Sequence, residues 1–314
     1  MYQIKSLKND FNILTIPVYP EFKIIDFSDK NIIENFTKNY PPYCDFLFSN
    51  LYSWEDGENP NEYCFLNNNL IIKTIDNRCI KKVVSVLGEN EIDETILKLL
   101  EDYGEIYYVP EIVIKKMAEK TKHLLIIEDM DNSDYIFNLK KICNISTPEY
   151  SKKRYHINKF HREFPNVEYK IFQLNDRKIL SDVIDLFESW GREKITTKSF
   201  REIEHELKSF LKITKNADIF NMHSYGAFIN NKLIGFQITE LINKYWCMGF
   251  YGKSHKDYPN LSSVIMHKAS NILADKYLYI NTQMDMGDPN LREYKKHWKP
   301  SSMLKKYNIK NNWN

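Results

Sequence analysis

A repeated order of segments constrains the fold of this chain more than any other feature. Residues 63–75 and 225–238 each consist of two β-like runs on either side of an asparagine cluster. Asparagine tolerates the left-handed backbone of a tight turn, so both segments predict β-hairpins. Each hairpin is followed by a strand, a helix-length segment and another strand, at 82–87, 92–103 and 105–109 and again at 245–251, 261–276 and 278–280.

This order predicts a mixed α/β or α+β fold with two similar halves, each a central mixed sheet flanked by helices. The 314 residues of the chain are enough for two domains of ordinary size. A chance similarity between two hairpins is the alternative to an old duplication.

Composition excludes several classes of protein. No apolar run approaches the ~20 residues of a membrane span, and the first ten residues lack the apolar stretch of a signal peptide. We therefore expect a cytoplasmic protein. The nine glycines argue against glycine-rich nucleotide loops, and none of the five cysteines lies in a CxxC pair or at zinc-ligand spacing from a histidine. We expect no metal and reduced thiols.

A basic segment, residues 147–165, lies between the halves and predicts a helix that begins near Thr147 and ends at Pro165. Its cations are Lys152, Lys153, Arg154, Lys159 and Arg162. One interpretation is a surface that binds phosphates, and the other is a solvated connecting helix.

The segment 277–300 combines both signs of charge in a short space. A strand is followed by a turn with Asp285 and Gly287, and then by a predicted helix that carries Arg292 and Lys295. Residues three or four apart share a helix face, so this segment can place a carboxylate beside phosphate-binding cations. A surface salt-bridge network is the structural alternative.

Four segments together resemble one family, that of the C-terminal domain of phosphatidylglycerol lysyltransferase. They are residues 41–54, 152–165, 250–270 and 279–300, in the order in which the family has them. The resemblance implies two tandem GNAT-like acyltransferase domains, expected at 1–146 and 166–314, with the basic helix 147–165 as a bridge and the active site in the second domain. The membrane flippase part of these lysyltransferases is not in the sequence, so we expect a soluble, flippase-lacking member.

The resemblance also implies a reaction: an aminoacyl group moves from a charged tRNA to a phosphatidylglycerol hydroxyl or another hydroxyl or amine acceptor. Asp285 and Lys253 are then the candidate catalytic residues, and Arg292, Lys295 and Gly287 the candidate substrate-binding ones. Lys253 matches a lysine of a family motif at the end of the second half's central strand. The five cations of the bridging helix are candidates for contact with tRNA phosphates.

The expected partners are aminoacyl-tRNA and, at the inner face of the membrane, anionic lipid head groups. No cofactor is expected, because residues 252–263 lack the glycine-rich pyrophosphate loop of acetyl-CoA-dependent members of the fold. A CoA-dependent N-acyltransferase and a non-catalytic GNAT-like binding protein remain as alternatives. Neither the donor amino acid nor the acceptor follows from the sequence.

Overall fold

The computed structural model describes residues 16–54, 59–76, 81–118, 121, 123–194 and 200–312. The first fifteen residues of the expected first domain therefore lie outside the described part of the chain. Within it, no helix has the length and apolar character needed to cross a bilayer.

The first half begins with short elements and builds its sheet from residue 62 onward. Its strands and helices are β1 (Lys23–Ile24), α1 (Lys30–Thr37), α2 (Phe48–Ser53), β2 (Glu62–Leu66), β3 (Asn69–Asp76), β4 (Lys81–Leu87), α3 (Ile92–Tyr103), β5 (Glu105–Pro110), α4 (Glu111–Ile114), β6 (Leu125–Glu128), β7 (Asp134–Asn138) and α5 (Leu139–Cys143).

The second half repeats this order after the bridging helix. Its elements are α6 (Ser151–Glu163), β8 (Glu168–Phe172), α7 (Arg177–Lys194), α8 (Phe200–Thr214), β9 (Met222–Ile229), β10 (Lys232–Leu241), β11 (Trp246–Ser254), α9 (Leu261–Leu273), β12 (Tyr279–Asn281), α10 (Pro289–Lys296), β13 (Ser302–Leu304) and β14 (Lys306–Lys310).

Both predicted hairpins are present and both turn on asparagine pairs. Asn67 and Asn68 have φ of 49° and 58°, and Asn230 and Asn231 have φ of 50° and 62°. Positive φ at both central residues defines a type I′ turn, whose twist matches that of the flanking strands. The hairpins β2–β3 and β9–β10 therefore form for the reason that the sequence indicated.

The two halves have equivalent strand orders. The second forms one sheet in the order β8-β9-β10-β11-β12-β7-β13, and the first forms β1-β2-β3-β4 and β5-β14-β6. β5 lies beside β4, where the Ser85 hydroxyl donates to the Tyr108 carbonyl at 3.3 Å. The predicted class, a mixed α/β fold with two similar halves, is confirmed.

One strand from each half completes the sheet of the other. β7, from the first half, pairs with β12 and β13, and the C-terminal strand β14 pairs with β5 and β6. Strand pairing thus crosses the boundary that we expected at residues 147–165. The repeat in the sequence gives no sign of this exchange.

The larger hydrophobic core also spans both halves. Phe27, Phe48 and Tyr52 surround Phe220 of the second half, with ring centroids 5.8, 6.0 and 5.9 Å from its own. A smaller core lies between the seven-stranded sheet and helices α5, α6 and α9. The shared core brings α2 of the first half against the sheet of the second.

Candidate functional site

The turn after β12 brings the predicted carboxylate and cations together. Positive φ at Gln283, Met286 and Gly287 folds the chain back, and the Asp288 carboxylate caps α10 by accepting from the backbone N–H groups of Asn290 and Leu291. Arg292, in the first turns of that helix, thereby faces the turn that precedes it.

Asp285 is fully enclosed in this turn. Its carboxylate accepts two hydrogen bonds from Arg292, Nε to Oδ2 at 2.8 Å and Nη2 to Oδ1 at 2.7 Å, one from the Tyr135 hydroxyl at 2.6 Å and one from the Gly287 N–H at 2.9 Å. Burial alone would raise the pKa of Asp285, but the bonds from Arg292 and Tyr135 hold it below its usual value. This geometry favours the salt-bridge network over a catalytic carboxylate.

Lys295 holds the residues that precede Asp285 through hydrogen bonds to their backbone. It is buried, and its ammonium donates to three successive carbonyls, those of Thr282, Gln283 and Met284, at 2.7, 2.9 and 2.7 Å. Burial lowers the pKa of Lys295 to about 8. Since an ammonium has three N–H donors, Lys295 has none left for a phosphate.

Lys253 lies on a different part of the second sheet. Its ammonium pairs with Glu206 at 2.6 Å and lies 3.6 Å from the ring centroid of Trp190, on the side of α7 and α8. Gly249 of the same strand contacts the turn, since its carbonyl accepts from the Gln283 side chain at 2.9 Å. Lys253 is four residues further along β11, or ~13 Å.

The basic bridge is a helix, as predicted, and its cations have different surroundings. Lys152 and Arg162 are exposed, and Lys159 is half-exposed beside Glu163 at 3.7 Å. Arg154 donates to the carbonyls of Ile145 and Thr147.

Lys153, the fifth cation of the bridge, points into the protein. It lies over the rings of Tyr294 and Trp298, at 4.3 and 4.7 Å from their centroids, and donates to the Ser263 hydroxyl at 3.2 Å. Burial lowers the pKa of Lys153 to about 8. The expectation that Lys153 lies with the others on a phosphate-binding face needs correction, because its side chain packs inward against the rings of Tyr294, on α10, and Trp298, just after it.

A buried polar cluster joins the halves where the exchanged strands meet. Lys306 donates to Asp134 at 2.7 Å and to the Cys44 thiol at 3.3 Å, and pairs with Asp45. Asp134 also accepts from the Cys44 N–H at 2.8 Å and from Asn281 at 2.9 Å. Cys44, Asp45 and Asp134 stand close enough to share a metal ion, but the Lys306 ammonium already pairs with both carboxylates. We call these residues the buried junction.

Sequence reasoning missed Glu240, on β10. This side chain is 6% exposed and accepts a hydrogen bond from the Ser49 hydroxyl of α2. Burial raises the pKa of Glu240 from its ordinary 4.5 to about 7, against the lowering effect of the Ser49 bond. A carboxyl that titrates near neutrality is suited to proton transfer. The signal in the sequence was its position, in phase with the inward-facing Phe236 and Ile238 of β10.

Glu240 lines a cleft between the halves with a volume of about 450 Å³. The first half contributes one face of α1, residues 40–43, 46 and 47, and Leu87, and the second contributes residues 219–221 and 240–243. Lys30 and Glu34, which form an ion pair at 2.5 Å, lie on one wall. The cleft thus combines apolar residues such as Tyr43 and Phe220 with several charged ones, as ligand sites commonly do.

The sheet is irregular next to Glu240. Ile238 pairs with Tyr251 but Thr239 pairs with Gly249, so Phe250 is an extra residue in β11. Such a β-bulge takes the backbone of the extra residue out of the ladder. β11 pairs with β12 only over residues 246–248, where β12 ends at Asn281. A bulge and the end of the β11–β12 pairing therefore lie within a few residues of Glu240.

One family of known proteins and several solved structures resemble this chain. The sequence profile of a family described as "Phosphatidylglycerol lysyltransferase, C-terminal" matches residues 38–310. A conserved protein of unknown function from Bacteroides thetaiotaomicron has a TM-score of 0.77 and 21% identity, over 93% of this chain and 99% of its own. The L-PGS of Bacillus licheniformis has a TM-score of 0.60 and 13% identity, over 93% and 94%. No curated protein sequence matches significantly.

Proposed function

Because the chain belongs to the family of the C-terminal domain of phosphatidylglycerol lysyltransferase, we propose that it is an aminoacyltransferase. It moves an amino acid from a charged tRNA to a hydroxyl or amine of an acceptor, with a phosphatidylglycerol-like lipid as the first candidate. The family match supports acyl transfer in general. The tRNA donor and the lipid acceptor, and with them a place of action at the membrane surface, belong to the proposal.

One observation carries the proposal to particular residues: Glu240 is a buried carboxyl with a near-neutral pKa in a cleft to which both halves contribute. An aminoacyl ester is already activated, so the enzyme needs to align the acceptor, take its proton and stabilise the oxyanion that forms. In this proposal Glu240 is the general base, held in place by Ser49.

The reaction then proceeds as follows. The Glu240 carboxylate removes the proton of the acceptor hydroxyl or amine, whose oxygen or nitrogen attacks the ester carbonyl of the aminoacyl-tRNA. The tetrahedral intermediate collapses, the tRNA ribose oxygen leaves, and the proton on Glu240 passes to it. The backbone N–H of Phe250, displaced from the ladder by the bulge, is our candidate donor to the oxyanion.

Asp285, Arg292, Lys295 and Gly287 enter this proposal as positioning residues. Their hydrogen bonds hold residues 282–284 in place directly after β12, beside Gly249 of β11. We propose that Lys253, paired with Glu206, orders the far end of β11, and that Lys152, Lys159 and Arg162 on α6 contact tRNA phosphates.

The test is a transfer assay with a mixture of tRNAs charged with labelled amino acids, in the presence of vesicles that contain phosphatidylglycerol. We expect label in the lipid fraction, with loss of transfer in Glu240→Gln, a variant of the same shape that cannot take up a proton. Glu21→Gln, an exposed carboxylate outside the cleft, is the matched control.

The same assay separates the alternatives. Label in a water-soluble product would keep the aminoacyltransferase and replace the lipid acceptor. Transfer from labelled acetyl-CoA, without transfer from tRNA, would establish the CoA-dependent acyltransferase instead. Binding of tRNA or lipid without any transfer would indicate the non-catalytic binding protein, and full activity of Glu240→Gln would remove Glu240 from the mechanism.

A further inference from the structure

A second cavity lies at the outer edge of the second half, away from the cleft that Glu240 lines. It has a volume of about 320 Å³ and is enclosed by β8 and β9 on one side and by α9 on the other. β8 is the edge strand of the seven-stranded sheet, so the cavity opens at the rim of the molecule. No step of the proposed transfer reaction uses it.

Two tyrosine hydroxyls in the walls of this cavity are buried and have no hydrogen-bond partner within the described part of the chain. They belong to Tyr169 and Tyr225, and the Tyr225 side chain is only 5% exposed. The register pairs Tyr169 with Ala227 and Ile171 with Tyr225, so the two tyrosines are diagonal neighbours on one face of the sheet. Because buried polar groups are nearly always satisfied in proteins, these hydroxyls are the first candidates to donate to a molecule that enters the cavity.

The lysine in the cavity wall and the isoleucines at its mouth indicate the chemical class of the ligand. Lys268 of α9 lines it, 5.1 Å from the ring centroid of Tyr169, and among the residues that the structure describes no carboxylate forms an ion pair with it. Lys170, which pairs with Glu168 at 2.6 Å, also lines the cavity. The other lining residues are small or apolar, and Ile171 and Ile272 are 54% and 46% exposed at the mouth. Two hydroxyl donors and an ammonium suit an anionic head, and the isoleucines suit an aliphatic chain.

We propose that this cavity binds a single-chain anionic amphiphile, with its carboxylate or phosphate head at Tyr169, Tyr225 and Lys268 and its aliphatic chain against Ile171, Ile265 and Ile272. The hydroxyls donate to the oxygens of the head, and the Lys268 ammonium balances its charge. The site rests on these contacts alone and does not depend on the proposed transfer reaction.

The experiment is isothermal titration of the full chain with decanoate, decyl phosphate and inorganic phosphate, each amphiphile below its micelle concentration. We expect one saturable site for at least one amphiphile, and the tighter of the two identifies the head group. The double variant Tyr169→Phe with Tyr225→Phe should weaken that binding by about tenfold or more, since each lost bond to a charged head is substantial. Ile272→Trp should obstruct the mouth, whereas Ile24→Trp, an equally exposed isoleucine on β1, should bind as the parent does.

Stability provides a second readout that does not require a ligand. Since the hydroxyls have no protein partner, the double phenylalanine variant should unfold at the same urea concentration as the parent or a higher one. A clear loss of stability would show that the hydroxyls are already satisfied and would overturn the proposal. Absence of saturable binding by either amphiphile, equal affinity in the Ile272→Trp variant, or equal binding of inorganic phosphate would overturn it as well.

Discussion

The buried junction supports a quantitative prediction about Lys306. Its side chain is fully buried between two carboxylates, and the one on Asp134 is also completely enclosed and 2.7 Å from the ammonium. Replacement by methionine keeps most of the packing but leaves those carboxylates without their cation. Removing one partner of a buried ion pair typically costs ~3–5 kcal/mol. Because domains of this kind are stable by about 5–15 kcal/mol, Lys306→Met should remove a large share of the free energy of unfolding.

Urea denaturation followed by tryptophan fluorescence measures this loss. The neighbouring Lys305→Met is the matched control, since the Lys305 ammonium forms only an exposed pair with Glu128 at 3.0 Å and its loss should leave the midpoint unchanged. The double variant Asp134→Asn with Lys306→Met should recover part of the loss, because it removes one of the stranded charges. A loss below about 1 kcal/mol for Lys306→Met would refute the view that this ammonium holds the junction together.

Three further predictions concern the cleft, the turn and the bridge. The pKa of Glu240 is raised to about 7 in the folded protein. The stability that its protonated form contributes is therefore complete below pH 4.5, and roughly 3 kcal/mol of it is lost as the pH rises through 7. Urea midpoints between pH 5 and 8 should show this fall for the parent and not for Glu240→Gln. Asp285→Asn weakens the bonds from Arg292 and Tyr135 and should cost about 1–3 kcal/mol, so its thermal midpoint should fall together with its activity, and an unchanged midpoint would contradict a positioning role. Charge reversal of Lys152 and Lys159 should flatten the salt dependence of tRNA binding, whereas Lys153→Met, in the buried position on the same helix, should leave the slope unchanged.

Local patterns account for the parts of the fold that the sequence predicts well. Asn67–Asn68 and Asn230–Asn231 adopt the backbone that an asparagine pair favours, and α3 spans the predicted residues 92–103. The exchange of β7 and β14 has no such local signature. A strand pattern records which residues face a core but not which sheet receives the strand, so pairings between residues such as Tyr307 and Val109 could not be predicted.

The candidate site shows the same division. Spacing in the sequence predicted that Asp285, Arg292 and Lys295 would lie together, and they do. Arg292 within the same segment engages Asp285, as the salt-bridge alternative allowed. The further bond from Tyr135, which lies 150 residues away in the sequence, could not be predicted from spacing within residues 277–300. Glu240 was missed because a lone carboxyl in an apolar strand forms no motif. Its hydrogen bond with Ser49 on α2 appears only in the folded structure.

The buried junction and the cleft lie on opposite sides of residues 43–46. Tyr43 and Phe46 line the cleft that contains Glu240, while Cys44 and Asp45, between them in the sequence, contact Lys306. Lys306 belongs to β14, the strand that the second half contributes to the sheet of the first. The exchanged strand β14 therefore helps to position residues 43–46 of the cleft wall, because its Lys306 ammonium binds Cys44 and Asp45 on the side away from the cleft. A carboxyl keeps a near-neutral pKa only while it is shielded from water, so the chemistry that we assign to Glu240 depends on the same contacts that join the halves.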